Sequence, residues 1–282
     1  MTRKTVAWKY SFLLVLHLER DDFSGEQPCI YPLSNGLDLR KRVVKEVTKK
    51  LHRATRAILV LECPWELDQH DCNRTSVLPF VEGVAKYAGD TEVFHANFYD
   101  NSSFNKALDC LTRCRADNTL VYIAAHGYRR KIAGTSVDDL IFAIGESSKD
   151  CNITGLILGS CYVGQNTSTM EAYMEGTTIR WCTGYASSCD WMAGTMIDCA
   201  IMASMLELDE EDLAEREIMV ESLAAALSPF SRSYVIGEDY NQGEVALEDS
   251  ISFVVQPSGR GNRAKTVSED VLDVYEAFQK YD

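Results

Sequence analysis

Two short stretches of this 282-residue chain place reactive side chains where a β-sheet would present them. The run Leu120-Val-Tyr-Ile-Ala-Ala125 ends in His126-Gly127, and Gly155-Leu-Ile-Leu158 ends in Gly159-Ser160-Cys161-Tyr162. In open α/β sheets reactive groups gather at the carboxyl ends of the strands. If the two strands are neighbours, His126 and Cys161 emerge side by side, the minimum for thiol nucleophilic catalysis. The thiolate attacks a carbonyl, and the imidazole organises the proton and delivers it to the leaving amine. Gly127 has no side chain, so its N–H can approach an oxyanion, with the Cys161 N–H as second donor. Taken singly, His126 reads equally as a satisfied structural histidine and Cys161 as a buried thiol. The pair, with Gly127 behind the histidine, favours catalysis.

Those side chains need a scaffold, and the chain spells one out from residue 57. Ala57–Leu61 reads as a buried strand, followed by a helix over Val77–Tyr87, a strand over Thr91–Phe98 and a helix over Ser103–Arg115. The strand Leu120–Ala125 precedes a short helix at Val137–Gly145. Gly155–Leu158 then alternates with a helix at Thr169–Met174, a strand at Thr178–Thr183 and a long apolar helix at Trp191–Leu206. Short β-rich runs alternating with helices predict an α/β domain whose mainly parallel sheet is covered on both faces. Residues 1–56 form a separate preface, with a strand at Ala7–Leu18 and a basic helix at Gly36–Arg56. Beyond the 57–206 core, residues 207–282 form a C-terminal α/β extension. Glu207–Glu221 reads as a solvated helix face, Ser233–Ile236 and Val245–Val255 as β structure, Ser258–Arg263 as a polar loop, and Ser268–Tyr281 as a helix that Ser268 could cap.

Composition bounds what such a scaffold could serve. Hydrophobic residues make up 46% and charged residues 25%, as in ordinary globular proteins. The net charge of −14 repels phosphate backbones, so a nucleic-acid polymer is excluded as a general partner. The charge is uneven: residues 1–56 carry +6 and residues 57–282 carry −20. The ten cysteines lack the tight spacing of a disulfide scaffold, and Cys63, Cys182 and Cys199 sit in apolar runs where a reduced thiol packs as a small hydrophobe. Cys110 and Cys114, i and i+4 on a predicted helix, complete no four-ligand metal set. Tyr10–Leu18 is too short to span a bilayer and meets Glu19, Arg20, Asp21 and Asp22 without a cleavage site. A reducing cytoplasm and no membrane are therefore expected. No Walker loop, GxGxxG or catalytic metal set is present, so no cofactor is expected.

The order strand–His–Gly, then one βα unit later strand–small–Ser–Cys, resembles the caspase-like (clan CD) cysteine peptidases. The likeness is greatest to their bacterial CHAT-type and related branches, through LVYIAAHGY at Leu120–Tyr128 and GLILGSCYVG at Gly155–Gly164. LECPWE at Leu61–Glu66 and GYASSCDW at Gly184–Trp191 are similar to other signature pieces of that group. This resemblance covers the 57–206 core and neither flank. It implies a caspase-haemoglobinase-like sandwich, a His126–Cys161 dyad, an oxyanion site at Gly127 and Cys161, and peptide-bond hydrolysis through an acyl-enzyme. Bacterial relatives of this type often serve as latent effectors of antiphage defence, activated by a partner protein or a nucleotide second messenger. Two departures matter. Caspases proper carry a Gln-Ala-Cys-type motif where this chain has Gly159-Ser160-Cys161. Metacaspases place an acidic residue two before the cysteine, where this chain has Gly159.

In the resembling fold the pocket for the residue before the cut is built near the loops after the first strand, the cysteine and the following strand. Those places offer Glu62, Glu66, Asp68 and Asp190, whose carboxylates would select Arg or Lys, and Glu66 and Asp190 are the named candidates. An opposite case rests on Arg129, Arg130 and Lys131, which could meet an acidic substrate. Blander readings make these surface charges, with Asp190 a cap for the helix starting at Trp191. Trp65 and Trp191 read as core or pocket-wall aromatics. The alternative to a peptidase is a non-catalytic module of the same scaffold that senses a ligand or binds a partner.

Overall fold

Apolar and β-branched residues recurring on both faces of short runs build a sheet that helices cover on either side. The structure is a computed structural model that describes residues 54–64 and 75–279. In chain order it has β1 (Arg56–Glu62), α1 (Leu78–Ala88), β2 (Thr91–Asn97), α2 (Asn101–Leu111) and β3 (Asn118–Ala124). A small sheet of β4 (Gly127–Tyr128), β5 (Lys131–Ile132) and β6 (Thr135–Ser136) leads into α3 (Val137–Ser147). Next come β7 (Ile153–Gly159), α4 (Thr167–Met174), β8 (Trp181–Tyr185) and α5 (Trp191–Met205). The rest comprises α6 (Arg216–Leu227), β9 (Val235–Glu238), β10 (Glu244–Ala246), the single turn α7 (Leu247–Ser250), β11 (Ile251–Val255), β12 (Lys265–Thr266) and α8 (Ser268–Gln279).

The central sheet has seven strands in the order β12-β11-β8-β7-β3-β1-β2. The five from β2 to β8 run parallel, and β11 and β12 add antiparallel strands beyond β8. The expected α/β class, a mainly parallel sheet flanked by helices, is what the chain forms. Side chains alternate with the strand period of two. Ile58 and Val60 of β1 join Leu120, Tyr122 and Ala124 of β3 on the face covered by α1, α5, α6 and α8. Leu59 and Leu61 join Val121 and Ile123 on the face covered by α2, α3 and α4. Gly155 of β7 lies opposite Trp181 of β8, and a Cβ there would sit 2.3 Å from the indole. That missing side chain makes room for Trp181, the largest fully buried side chain among the described residues.

Several elements differ from expectation for local reasons. The helix expected from Ser103 begins at Asn101, because Asp100 accepts the Ser103 N–H at 2.7 Å and Ser103 Oγ accepts the Asp100 N–H at 3.0 Å. It ends at Leu111, so Cys114 lies beyond it, where its thiol hydrogen-bonds Cys151. The strand expected at Thr178–Thr183 starts three residues later, since the Thr178 hydroxyl is engaged with the carbonyls of Ser148 and Ile153. The acidic run Glu207–Glu221 is split: Asp209 accepts the N–H groups of Glu211 and Asp212, and α6 starts only at Arg216. The β structure expected over Val245–Val255 is interrupted by α7. α8 starts at Ser268 as expected, but Ser268 lies within the helix and does not cap it: its Oγ accepts the Phe253 N–H of β11 at 2.9 Å. The strand at Ala7–Leu18 and the helix at Gly36–Arg56 fall outside the described residues, except that Arg56 opens β1 instead of ending a helix.

Replacing Gly155 by Ala forces the Trp181 ring off its seat. A loss of about 1–3 kcal/mol is expected, the usual cost of overpacking, read as a lowered thermal midpoint of the full chain. An unchanged midpoint means the ring has room to move.

Candidate active site

β3 and β7 are adjacent and parallel, with Ala124 opposite Gly159. Beyond that pair the two segments stay together, with Gly127, the residue after His126, packed against Cys161. Both leave the sheet at its carboxyl edge, His126 exposed and Cys161 half-buried. Between them the backbones nearly touch: a Cβ on Gly127 would lie 2.1 Å from the Cys161 carbonyl oxygen and 2.8 Å from its nitrogen. Only glycine can occupy position 127, and its N–H points at the Cys161 sulfur.

The chain turns sharply on either side of these residues. Tyr162 holds a left-handed φ of +62°, fastened by its N–H to the Ser187 carbonyl at 2.9 Å. After Gly127, a two-residue turn joins β4 to β5 with Arg129 and Arg130 both at positive φ, the conformation that suits a tight hairpin. The Arg129 guanidinium lies over the Tyr128 ring at 5.0 Å, and Arg130 pairs with Asp138 at 2.9 Å. Arg130, one of the cations expected to meet an acidic substrate, therefore already has a carboxylate.

Three backbone N–H groups surround the Cys161 sulfur: its own, that of Gly127, and that of Cys189 at 3.4 Å. They favour the thiolate, but burial outweighs them and the nearby Asp190 charge adds to burial. The thiol is held above its ordinary range. Cys161 rests as a neutral thiol at pH 7, and a base must take its proton for it to react.

Beside Cys161 is a cavity of about 20 Å³, lined by Tyr122, Cys189, Asp190, Trp191 and Asp198 among others. Asp190 stands exposed at its rim; it occupies the N-cap position of α5 but makes no side-chain capping bond. Glu66, Asp68 and Trp65 lie outside the described residues. Glu62 is no pocket wall. It is buried and accepts from Ser76 Oγ at 2.8 Å, the Val77 N–H at 2.9 Å and His95 Nε2 at 3.0 Å, pinning the approach to α1.

The carboxylate that the sequence reading missed is Asp198. It is 1% exposed on α5 and forms the floor of the cavity. The Tyr122 hydroxyl donates to its Oδ2 and the Tyr185 hydroxyl to its Oδ1, each at 2.8 Å. Its Oδ2 lies 2.9 Å from where a Gly159 Cβ would be. Burial pushes this carboxyl up to about 7 against the stabilising pull of the two hydroxyls. Ser160 Oγ and Trp191 Nε1 are also buried against the cavity, and neither has a hydrogen-bond partner among the described residues. A lone carboxylate within the apolar run Trp191–Met205 was the one sequence signal of this floor.

Among the described residues, no group of three His, Cys, Asp or Glu side chains could hold a metal ion, and no helix is long and apolar enough to cross a membrane. The chain matches no family model and no curated protein.

Asp198 also sets a pH dependence. Its folded pKa of about 7 exceeds the ordinary aspartate value of 3.8, so the folded state holds a proton that the unfolded chain releases between those values. Stability from this group is therefore greatest below about pH 4, falls as pH rises, and is lowest above pH 7. The span is on the order of 4 kcal/mol at 1.36 kcal/mol per pKa unit. Asp198→Asn removes the titration, so denaturant unfolding should show its stability gaining on wild type from pH 4 to pH 8. A constant difference across that range would place Asp198 in a solvated, unshifted state.

Proposed function

We propose that this chain is a cysteine endopeptidase acting through Cys161 and His126, with cleavage after a basic residue. One observation supports the reading: Gly127, which follows His126, packs against Cys161 where β3 and β7 end at the carboxyl edge of a parallel sheet.

In the reaction, His126 takes the Cys161 proton as the sulfur bonds to the scissile carbonyl carbon. The oxygen's developing charge is met by the N–H groups of Gly127 and Cys161. Collapse breaks the C–N bond, and the amine leaves with the proton from His126. Water, activated by the same imidazole, then cleaves the thioester and restores the thiol.

Basic selectivity is supported by Asp198. The acidic side chain that metacaspases carry two before the cysteine is missing at Gly159, and the Asp198 carboxylate enters that space from α5. A guanidinium or ammonium group would relieve the cost of burying this carboxylate. The cavity as it stands holds about one water, so such a side chain enters only when the wall moves. Trp191, half-buried at the first position of α5, is the wall residue with a polar atom to spare. A neutral thiol and a nearly closed pocket suit a latent enzyme that a partner protein or a nucleotide signal opens in the cytoplasm. The same two features favour the second reading, a non-catalytic sensing or interaction module.

A peptide library varied at the residue before the cut, run with and without candidate nucleotide activators, tests this reading. Cleavage after Arg or Lys that disappears in Cys161→Ala and His126→Ala is the expected result. Asp198→Ala should lower kcat/KM for those peptides by about thirtyfold or more, the cost of deleting one partner of a buried charge pair. Hydrolysis that survives Cys161→Ala overturns the mechanism; no hydrolysis together with tight nucleotide binding supports the sensing module.

A further inference from the structure

The hairpin of β9 and β10 lies beyond the core that the resemblance covers, yet it touches all three segments that form the site. Its turn is pinned by Asp239, whose carboxylate accepts the N–H groups of Asn241 at 2.7 Å and Gly243 at 2.9 Å. The β9 backbone pairs with the stretch after β8. The Glu238 carbonyl accepts the Ser188 N–H at 3.0 Å, and the Ile236 carbonyl accepts the Asp190 N–H at 2.7 Å. A Cβ on Gly237 would stand 2.2 Å from the Ser188 oxygen, so the two backbones are in direct contact. Between those bonds, the Cys189 N–H faces the Cys161 sulfur.

From the turn of the hairpin, the Tyr240 ring stacks on Tyr162 with centroids 4.2 Å apart and planes 13° apart. The same ring meets the edge of Tyr128 at 6.4 Å. Tyr162 directly follows Cys161, and Tyr128 stands two residues after His126. The Tyr162 hydroxyl donates to the Glu238 carbonyl at 3.1 Å, closing the ring of contacts. One exposed aromatic side chain thus spans the loop of the nucleophile and the loop of the base. Aromatic contacts of this kind are individually modest, about 0.5–1.5 kcal/mol. That is little for the stability of a domain, but a displacement of about 1 Å between reacting groups costs about a hundredfold in rate.

We infer that Tyr240 is a positioning residue: by stacking on Tyr162 and meeting Tyr128 it holds Cys161 and His126 at working separation, so the seat of the β9–β10 hairpin sets the reactivity of the thiol. The inference rests on the Cys161–His126 pairing proposed above, and does not require that the substrate be a peptide.

The test is alkylation of Cys161 in the full chain by iodoacetamide, followed at that residue by peptide mass spectrometry from pH 5 to pH 9. His126→Ala should slow the reaction near neutral pH, where the imidazole supplies the base. Tyr240→Ala should slow it by about tenfold, with the thermal midpoint close to wild type, and Tyr240→Phe, which keeps the ring, should restore it. In the His126→Ala background, Tyr240→Ala should add no further loss, since it acts through the placement of that base. A Tyr240→Ala protein that matches wild type, or one that loses as much again without His126, overturns the inference. A wild-type rate indifferent to His126→Ala overturns both the inference and the pairing on which it rests. Coupling observed in a protein that cleaves no peptide supports the inference independently of the endopeptidase reading.

Discussion

Everything at the carboxyl edge of the sheet depends on how closely two backbones approach, that of Gly127 and that of Cys161. Parallel strands buried on both faces have their register fixed by packing, because a one-residue slip would turn each side chain to the opposite face. With Ala124 locked opposite Gly159, the segments beyond them must leave the sheet side by side. The absence of a side chain at position 127 then allows van der Waals contact where any other residue would wedge the loops apart. The positions of the Gly127 and Cys161 N–H groups follow from that contact and from the sharp turn at Tyr162.

Against this rigid arrangement stands a group that the fold holds at a cost. Asp198 sits under full burial, where a carboxylate is disfavoured, and the two tyrosine hydroxyls offset only part of the penalty. An apolar side chain would pack α5 against β3 and β8 more stably. Groups held against stability concentrate at sites of function, and this one shares its cavity with Cys161 and with two polar atoms that have no hydrogen-bond partner among the described residues. The cavity also explains why glycine, and not an acidic residue, precedes Ser160. Tyr122 and Asp198 occupy the space a side chain there would fill.

Much of this was legible in the chain, for uneven reasons. β1, β3 and β7 announce themselves because each is a continuous apolar run, and His126 and Cys161 follow directly from where those runs stop. Glu62 was misread as a pocket wall because its partners Ser76, Val77 and His95 come from elements folded back upon it. Asp198 was missed for a similar reason. Its meaning comes from Tyr122, 76 residues away in sequence, and its isolation in the apolar run Trp191–Met205 is the one local hint. The shift of β8 arose from side-chain hydroxyls competing for backbone partners, which composition does not reveal. The role of the hairpin was hidden because aromatic stacking across separate loops leaves no periodicity to read.

The antiparallel strands that close the sheet have a consequence for the order of events on the ribosome. His126 and Cys161 emerge early, but β8 acquires its outer neighbour only once Ile251–Val255 has been made. The segment carrying the Cys189 N–H gains its support only after Ile236 and Glu238. A nascent chain halted before these residues holds both reactive side chains beside an open strand edge, without the frame that aligns them. Under the proposed function, competence is thereby deferred to the completed fold. A partly made copy carries Cys161 and His126 without the neighbours that surround them in the finished fold.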